Sequence, residues 1–189
     1  EVLRRNGRDR ADSLLAMAKY VGSGDPENVE SRAARAYWSA LFEDFRRDDD
    51  ADLRNKLLNY GYAVARAGIA RALVGAGFFP AFGLHHASET NAFNLADDLF
   101  EPFRPVVDSL VVARIKAERS RNEGMTLEDR RALAGVLLAE IRMDGETMSV
   151  LAAAELCVAS LGRAFTASEH GKLILPALPR VAPTRERTH

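Results

Sequence analysis

The chain has few of the residues on which several common chemistries depend. Its 189 residues include a single cysteine, Cys157, so it can form neither an internal disulfide nor a paired-cysteine zinc site, and we expect a reducing compartment. The formal net charge is −1, which gives no overall argument for nucleic-acid binding. No uncharged apolar run is long enough to span a membrane, and there is no Gly-rich phosphate loop or serine nucleophile elbow. These absences exclude several enzyme classes and leave a globular domain of ordinary composition.

The hydrophobic pattern predicts an all-α fold, because apolar residues recur at helical rather than strand spacing. Asp25 and Pro26 suit the start of a helix that runs to about Phe42, and another begins near Asp52. Two closing helices are predicted over 127–141 and 146–165. We expect one helical domain over residues 1–170, followed by a Pro- and Arg-containing tail over 171–189.

The stretch that organises the chain is GLHHASETNAFNLADDLFEPFRPVVD, residues 83–108. It places His85 and His86 in a Gly-flanked turn, and a helical run with Asp97, Asp98 and Glu101 follows. Residues three and four apart on a helix are neighbours, so both aspartates can lie beside Glu101. A histidine followed by clustered carboxylates is a ligand mixture typical of divalent metal sites.

The same acids have a second explanation. They lie among apolar residues, where an unpaired carboxylate is energetically costly, and Arg104 is the nearest candidate partner. Glu30 is similarly placed on an alanine-lined helix face, where Arg66 or Arg71 could pair with it. From the residues alone, a metal site and an ion-pair network both stay open.

A resemblance to a known family adds to this interpretation. NAFNLADDLFEPFRPVVD, preceded by GLHH and by NYGYAVARAGIARALVGAGFFPAFG, resembles the CRISPR-associated integrase of spacer acquisition, and GDPENVESRAARAYW upstream fits the same family. The resemblance covers roughly residues 8 to 170. It implies a Mg or Mn site with Glu30, His86 and Glu101 as ligands, and Asp98 as an adjoining catalytic acid. Arg32, Arg35 and Arg104 are the candidate phosphate contacts.

The resemblance also implies a function and partners. The family joins the 3′ ends of captured double-stranded DNA to CRISPR repeats by phosphodiester transesterification, in the prokaryotic cytoplasm and away from membranes. Its members form homodimers and assemble with a small second adaptation subunit. They also carry an N-terminal β-rich domain that nothing in this chain matches, so we expect the helical catalytic domain alone. The alternatives are a non-catalytic helical assembly module and a stand-alone nuclease for branched DNA.

Overall fold

The computed structural model describes residues 1–22, 25–115, 122–166 and 173–179. The chain forms two compact units, Glu1–Ala51 and Asp52–His189, and each is described by itself. Within the described ranges, no helix combines the length and the apolar character that crossing a bilayer requires.

In its described residues the first unit contains the α-helices α1 (Val2–Arg5), α2 (Ala11–Met17) and α3 (Val29–Leu41), with a 3-10 turn, Ala18–Tyr20, directly after α2. The Asp25 carboxylate accepts hydrogen bonds from the backbone N–H groups of Val29 and Glu30, at 2.8 and 2.9 Å. The predicted start at Pro26 is wrong, however, because Asn28 adopts a left-handed conformation with φ of 51°. A residue in that conformation cannot continue a right-handed helix, so α3 begins at Val29, directly after Asn28.

The second unit is built around α4 (Leu53–Gly75), which begins at the predicted place, where Asp52 accepts from the N–H of Arg54 at 2.7 Å. This helix packs against α5 (Asn94–Phe100), α6 (Arg104–Ile115), α7 (Leu127–Ala134) and α8 (Val150–Thr166). A 3-10 turn, Glu101–Phe103, separates α5 from α6 where the prolines predict a break. The helix that carries Asp97 and Asp98 thus packs directly on α4, and Glu101 lies in the turn that follows it.

The all-α prediction needs one correction. Two short strands, β1 (Glu140–Met143) and β2 (Glu146–Ser149), pair antiparallel where the sequence predicts helix. The strands are joined by Asp144 and Gly145, whose φ values of 50° and 87° match the two-residue turn that favours a hairpin. In the described residues the fold is thus mainly helical, with one small hairpin.

Part of the predicted tail is held by this hairpin. The backbones of Arg142 and Ala177 exchange two hydrogen bonds of 2.8 Å, and the N–H of Ile174 donates to Ser160 Oγ on α8 at 3.0 Å. Leu178 is buried. Residues 173–179 are therefore packed on the second unit, whereas 171–172 and 180–189 lie outside the described residues.

Candidate functional site

The loop that carries the two histidines, residues 81–88, is fixed to the start of α5; we call it the His loop. Buried Asn94 donates its side-chain amide to the carbonyls of Ala81 and Ser88, at 3.0 and 2.8 Å. Just outside the loop, the N–H of Leu95 donates to the carbonyl of Pro80 at 2.7 Å. Asn94 thus ties both ends of the His loop to one helix, so the position of the loop follows that of α5.

Gly83 is required by how tightly this loop folds. A Cβ added there would lie 2.1 Å from the carbonyl oxygen of His86 and 2.9 Å from Asp98 Oδ2. Both distances are too short for non-bonded atoms, so only glycine permits the loop to close against the Asp98 carboxylate.

Asp98 is the residue on which the loop closes. Its Oδ2 accepts hydrogen bonds from the backbone N–H groups of Leu84 and His85, at 2.5 and 3.0 Å. Its Oδ1 accepts from the N–H of His86 at 3.1 Å and lies 2.5 Å from the Nδ1 atom of the same histidine. Burial raises the pKa of Asp98, but these hydrogen bonds lower it by more, so the pKa ends below its usual value. The group is therefore an ionised carboxylate in a site where its side chain is 8% exposed.

His86 and Glu101 are the more accessible members of the site, with side chains 41% and 49% exposed. Glu101 comes one turn after Asp98, which places their Cβ atoms about 5–6 Å apart. Its Oε1 lies 2.7 Å from Arg104 Nη2, so the ion pair that the sequence offered as an alternative is present. The Arg104 guanidinium also lies 5.3 Å from the ring centres of both Tyr62 and Phe100. Arg104 is thus held as a partner of Glu101, and its predicted phosphate contact stays a prediction.

Asp97, the neighbour of Asp98 on α5, makes a separate set of polar contacts. Asp97 Oδ1 lies 3.4 Å from Arg66 Nη1, and its Oδ2 accepts from Asn91 Nδ2 at 2.8 Å. The two neighbouring aspartates therefore have separate partners, and only Asp98 contacts the His loop. A pocket of about 350 Å³ lies next to this network, with His86, Phe82 and Asn91 among the residues of its wall.

Three predicted site residues belong to the first unit. Glu30, Arg32 and Arg35 lie on α3 with exposed side chains. Among the residues that the structure describes, no three His, Cys, Asp or Glu side chains form a group able to hold a metal ion. Of the predicted ligands, His86 and Glu101 lie in the second unit, and Glu30 lies in the first.

Sequence reasoning missed the residues that hold the His loop. The pattern of histidines and acids gave no role to Asn94, whose side chain makes the defining contacts of the loop, or to Gly83, which permits its closure. A usable signal did exist, because asparagine beside a helix start commonly binds neighbouring backbone groups.

Comparison with known proteins gives a consistent result. The model of the family described as CRISPR associated protein Cas1 matches residues 11–143. A CRISPR-associated endonuclease Cas1 of Neisseria meningitidis is 40% identical over 177 residues, covering 93% of this chain and 57% of that protein. A second one, from Pyrobaculum aerophilum, is 30% identical over 141 residues, covering 72% of this chain and 48% of the relative. The chain thus spans about half the length of these curated relatives.

A solved structure is also similar. A casposase bound to its integration product superimposes with a TM-score of 0.64 at 25% identity, covering 78% of this chain and 52% of the casposase.

Proposed function

Because the chain belongs to the CRISPR-associated Cas1 family, we propose that it contributes the helical part of a metal-dependent DNA integrase and endonuclease. In this proposal it inserts captured DNA fragments into a CRISPR repeat by phosphodiester transesterification. The observation that carries the proposal is the presentation of His86 and Glu101, both about half exposed, on a loop and a turn fixed to the same helix. Support also comes from relatives named as Cas1 endonucleases and from the casposase, whose structure holds an integration product.

The atoms that His86 and Glu101 offer are of the kinds that bind a divalent metal. The Nδ1 atom of His86 is engaged by Asp98, so Nε2 is the ring nitrogen offered to a metal. On Glu101, Arg104 contacts Oε1, so Oε2 is the oxygen offered. Imidazole nitrogen with carboxylate oxygen fits Mn at least as well as Mg. By the family resemblance, Glu30 is the proposed third ligand. A bound metal of this kind would polarise the scissile phosphate and help hold the attacking hydroxyl.

The remaining proposed roles follow from charge. In transesterification a 3′-hydroxyl attacks a phosphodiester, a new P–O bond forms, and the displaced strand leaves with its own 3′-hydroxyl. Arg104 adds positive charge beside Glu101, and Arg32 and Arg35 present exposed guanidinium groups that suit phosphate oxygens. Double-stranded DNA, a second copy of the chain and the small second adaptation subunit are the proposed partners.

The test is a strand-joining assay with labelled DNA ends and a repeat-containing target in Mn or Mg. We expect His86→Ala, Glu101→Ala and Glu30→Ala each to lower joining by about 100-fold or more, because each removes a proposed ligand. Glu155→Ala, which removes an exposed acid of α8, is the matched control and should join DNA normally. Circular dichroism checks that each variant is folded.

Other outcomes favour the alternatives. Cleavage of branched DNA without any joining indicates a stand-alone nuclease. A folded native chain that neither joins nor cuts DNA favours an assembly module, for which the Glu101–Arg104 ion pair is the supporting observation. A variant that joins DNA as well as the native chain removes its residue from the proposed site.

A further inference from the structure

We infer that Asp98 is a positioning residue, which holds His86 so that Nε2 is the ring nitrogen offered to a ligand, and that it touches neither metal nor substrate itself. The inference rests on the proposed function only in naming the ligand of Nε2. The arrangement of carboxylate, loop and ring can be tested in the free protein.

The hydrogen-bonding capacity of Asp98 is the first argument. Two oxygens of a carboxylate offer about four lone-pair sites. Four donors already occupy them: the backbone N–H groups of Leu84, His85 and His86, and the ring of His86. Since the side chain is also 8% exposed, binding a metal or a phosphate would require Asp98 to give up contacts that close the loop.

The direction of the ring hydrogen bond is the second argument. The two oxygens of Asp98 already accept three backbone N–H groups and so act as acceptors, which means that His86 Nδ1 must donate to Oδ1. In the neutral ring this places the proton on Nδ1 and the lone pair on Nε2. A carboxylate that orients a ligating histidine in this way recurs behind metal centres, where it fixes both tautomer and ring rotation.

The backbone contacts extend this role from the ring to its attachment point. Three successive N–H groups of the His loop converge on the same carboxylate that binds the ring. Asp98 thereby sets where His86 leaves the backbone as well as how its imidazole is turned. Glu101 follows Asp98 by one turn. The residues from α5 to this turn therefore place His86 and Glu101 close together.

The experiment is nitrogen–proton correlation spectroscopy of the isotope-labelled native chain, without metal or DNA, at a pH where the His86 ring is neutral. His86→Gln identifies the signals of this ring. The protonated ring nitrogen resonates well upfield of the unprotonated one, so the spectrum reads the tautomer directly. We expect Nδ1 to be the upfield nitrogen, and an upfield Nε2 overturns the inference.

Asp98→Asn gives the sharper arm. The amide oxygen would keep the two backbone donors at the Oδ2 position, because this orientation points the NH₂ group at one backbone donor, the N–H of His86, whereas the opposite orientation points it at two. The NH₂ group then faces Nδ1 and favours a lone pair there, so we expect the Nδ1 and Nε2 shifts to exchange places. Unchanged shifts in this variant overturn the inference.

Two further variants complete the design. Asp97→Asn makes the same change on the neighbouring residue, whose contacts are with Arg66 and Asn91, and should leave the His86 shifts unchanged. Should Asp98→Asn fail to fold, Gly83→Ala decides, because its Cβ forces the loop away from the carboxylate. We expect a mixture of tautomers there, and a pure Nδ1–H ring contradicts the inference. Failure of DNA joining would leave these spectra unaffected, so the two proposals fail separately.

Discussion

At the scale of the residue, Cys157 shows how packing suppresses reactivity. It is buried on α8, and burial raises the pKa of its thiol to about 11. Since the thiolate is the reactive form, we expect labelling by a thiol reagent near pH 8 to be at least about 100-fold slower in the folded chain than in urea. Similar rates in both states, followed by absorbance of the released thiolate, would contradict this packing.

The same shift has a consequence for stability. A thiol whose pKa is raised by folding stays protonated in the folded chain while the unfolded chain already loses its proton. The contribution of Cys157 to stability is complete at a pH below the pKa of the thiol in the unfolded chain. It is lost as the pH rises towards about 11, the pKa of the thiol in the folded chain. The free energy of unfolding should therefore decline in alkali.

Some residue-level features of the site could be predicted from the sequence and others could not. Glu101 and Arg104 are three residues apart, so their ion pair follows from helix geometry alone. The contacts of Asp98 depend on the directions of three backbone N–H groups in an irregular loop. No spacing rule encodes those directions, so the sequence could place Asp98 beside Glu101 but could not show that it binds the backbone and the ring of His86.

At the scale of the element, two glycines of α4 should respond differently to substitution. A Cβ at Gly61 would lie 2.6 Å from Cγ1 of Val107, a stiff β-branched side chain that is fully buried on α6. Overpacking costs about 1–3 kcal/mol, and better helix propensity offsets up to about 1. We expect Gly61→Ala to lower the free energy of unfolding by roughly 1–2 kcal/mol in urea titrations.

Gly68→Ala is the matched control on the same helix. Its Cβ would lie 2.5 Å from Cδ2 of Leu137, the end of a flexible and partly exposed side chain that can rotate away. We expect a change between zero and a gain of about 1 kcal/mol from helix propensity. Equal losses in both variants would mean that the α4–α6 contact is no tighter than its surroundings.

The elements also differ in how well the sequence predicts them. Helix α4 carries a long apolar pattern between the cap Asp52 and the glycines after Val74, so its bounds follow from local chemistry. The strands of the hairpin have only four residues each. Over so short a length, the hydrophobic pattern cannot distinguish a strand from a helix. Its available signal was the Asp144–Gly145 pair, a favoured two-residue turn.

At the scale of the whole molecule, binding of the proposed metal should raise the thermal stability of the folded chain. A ligand that binds only the folded chain stabilises it by about 2.7 kcal/mol at 100 times its dissociation constant. We therefore expect Mn to raise the Tm of the native chain and of Glu155→Ala, and to leave that of His86→Ala and Glu101→Ala unchanged. Differential scanning calorimetry with and without a chelator measures this, and an equal rise in all four chains would argue against a specific site.

The hydrogen bonds between the His loop and Asp98 join residues only 12 to 14 positions apart. Closing so short a loop costs little entropy. Because the contacts are local in sequence, the structure can form without many contacts to distant parts of the chain. The His loop and α5 together form a compact cassette, by which we mean a short continuous segment that includes the carboxylate holding it together, that of Asp98. A protein engineer could graft this cassette onto another helical scaffold to present an oriented imidazole.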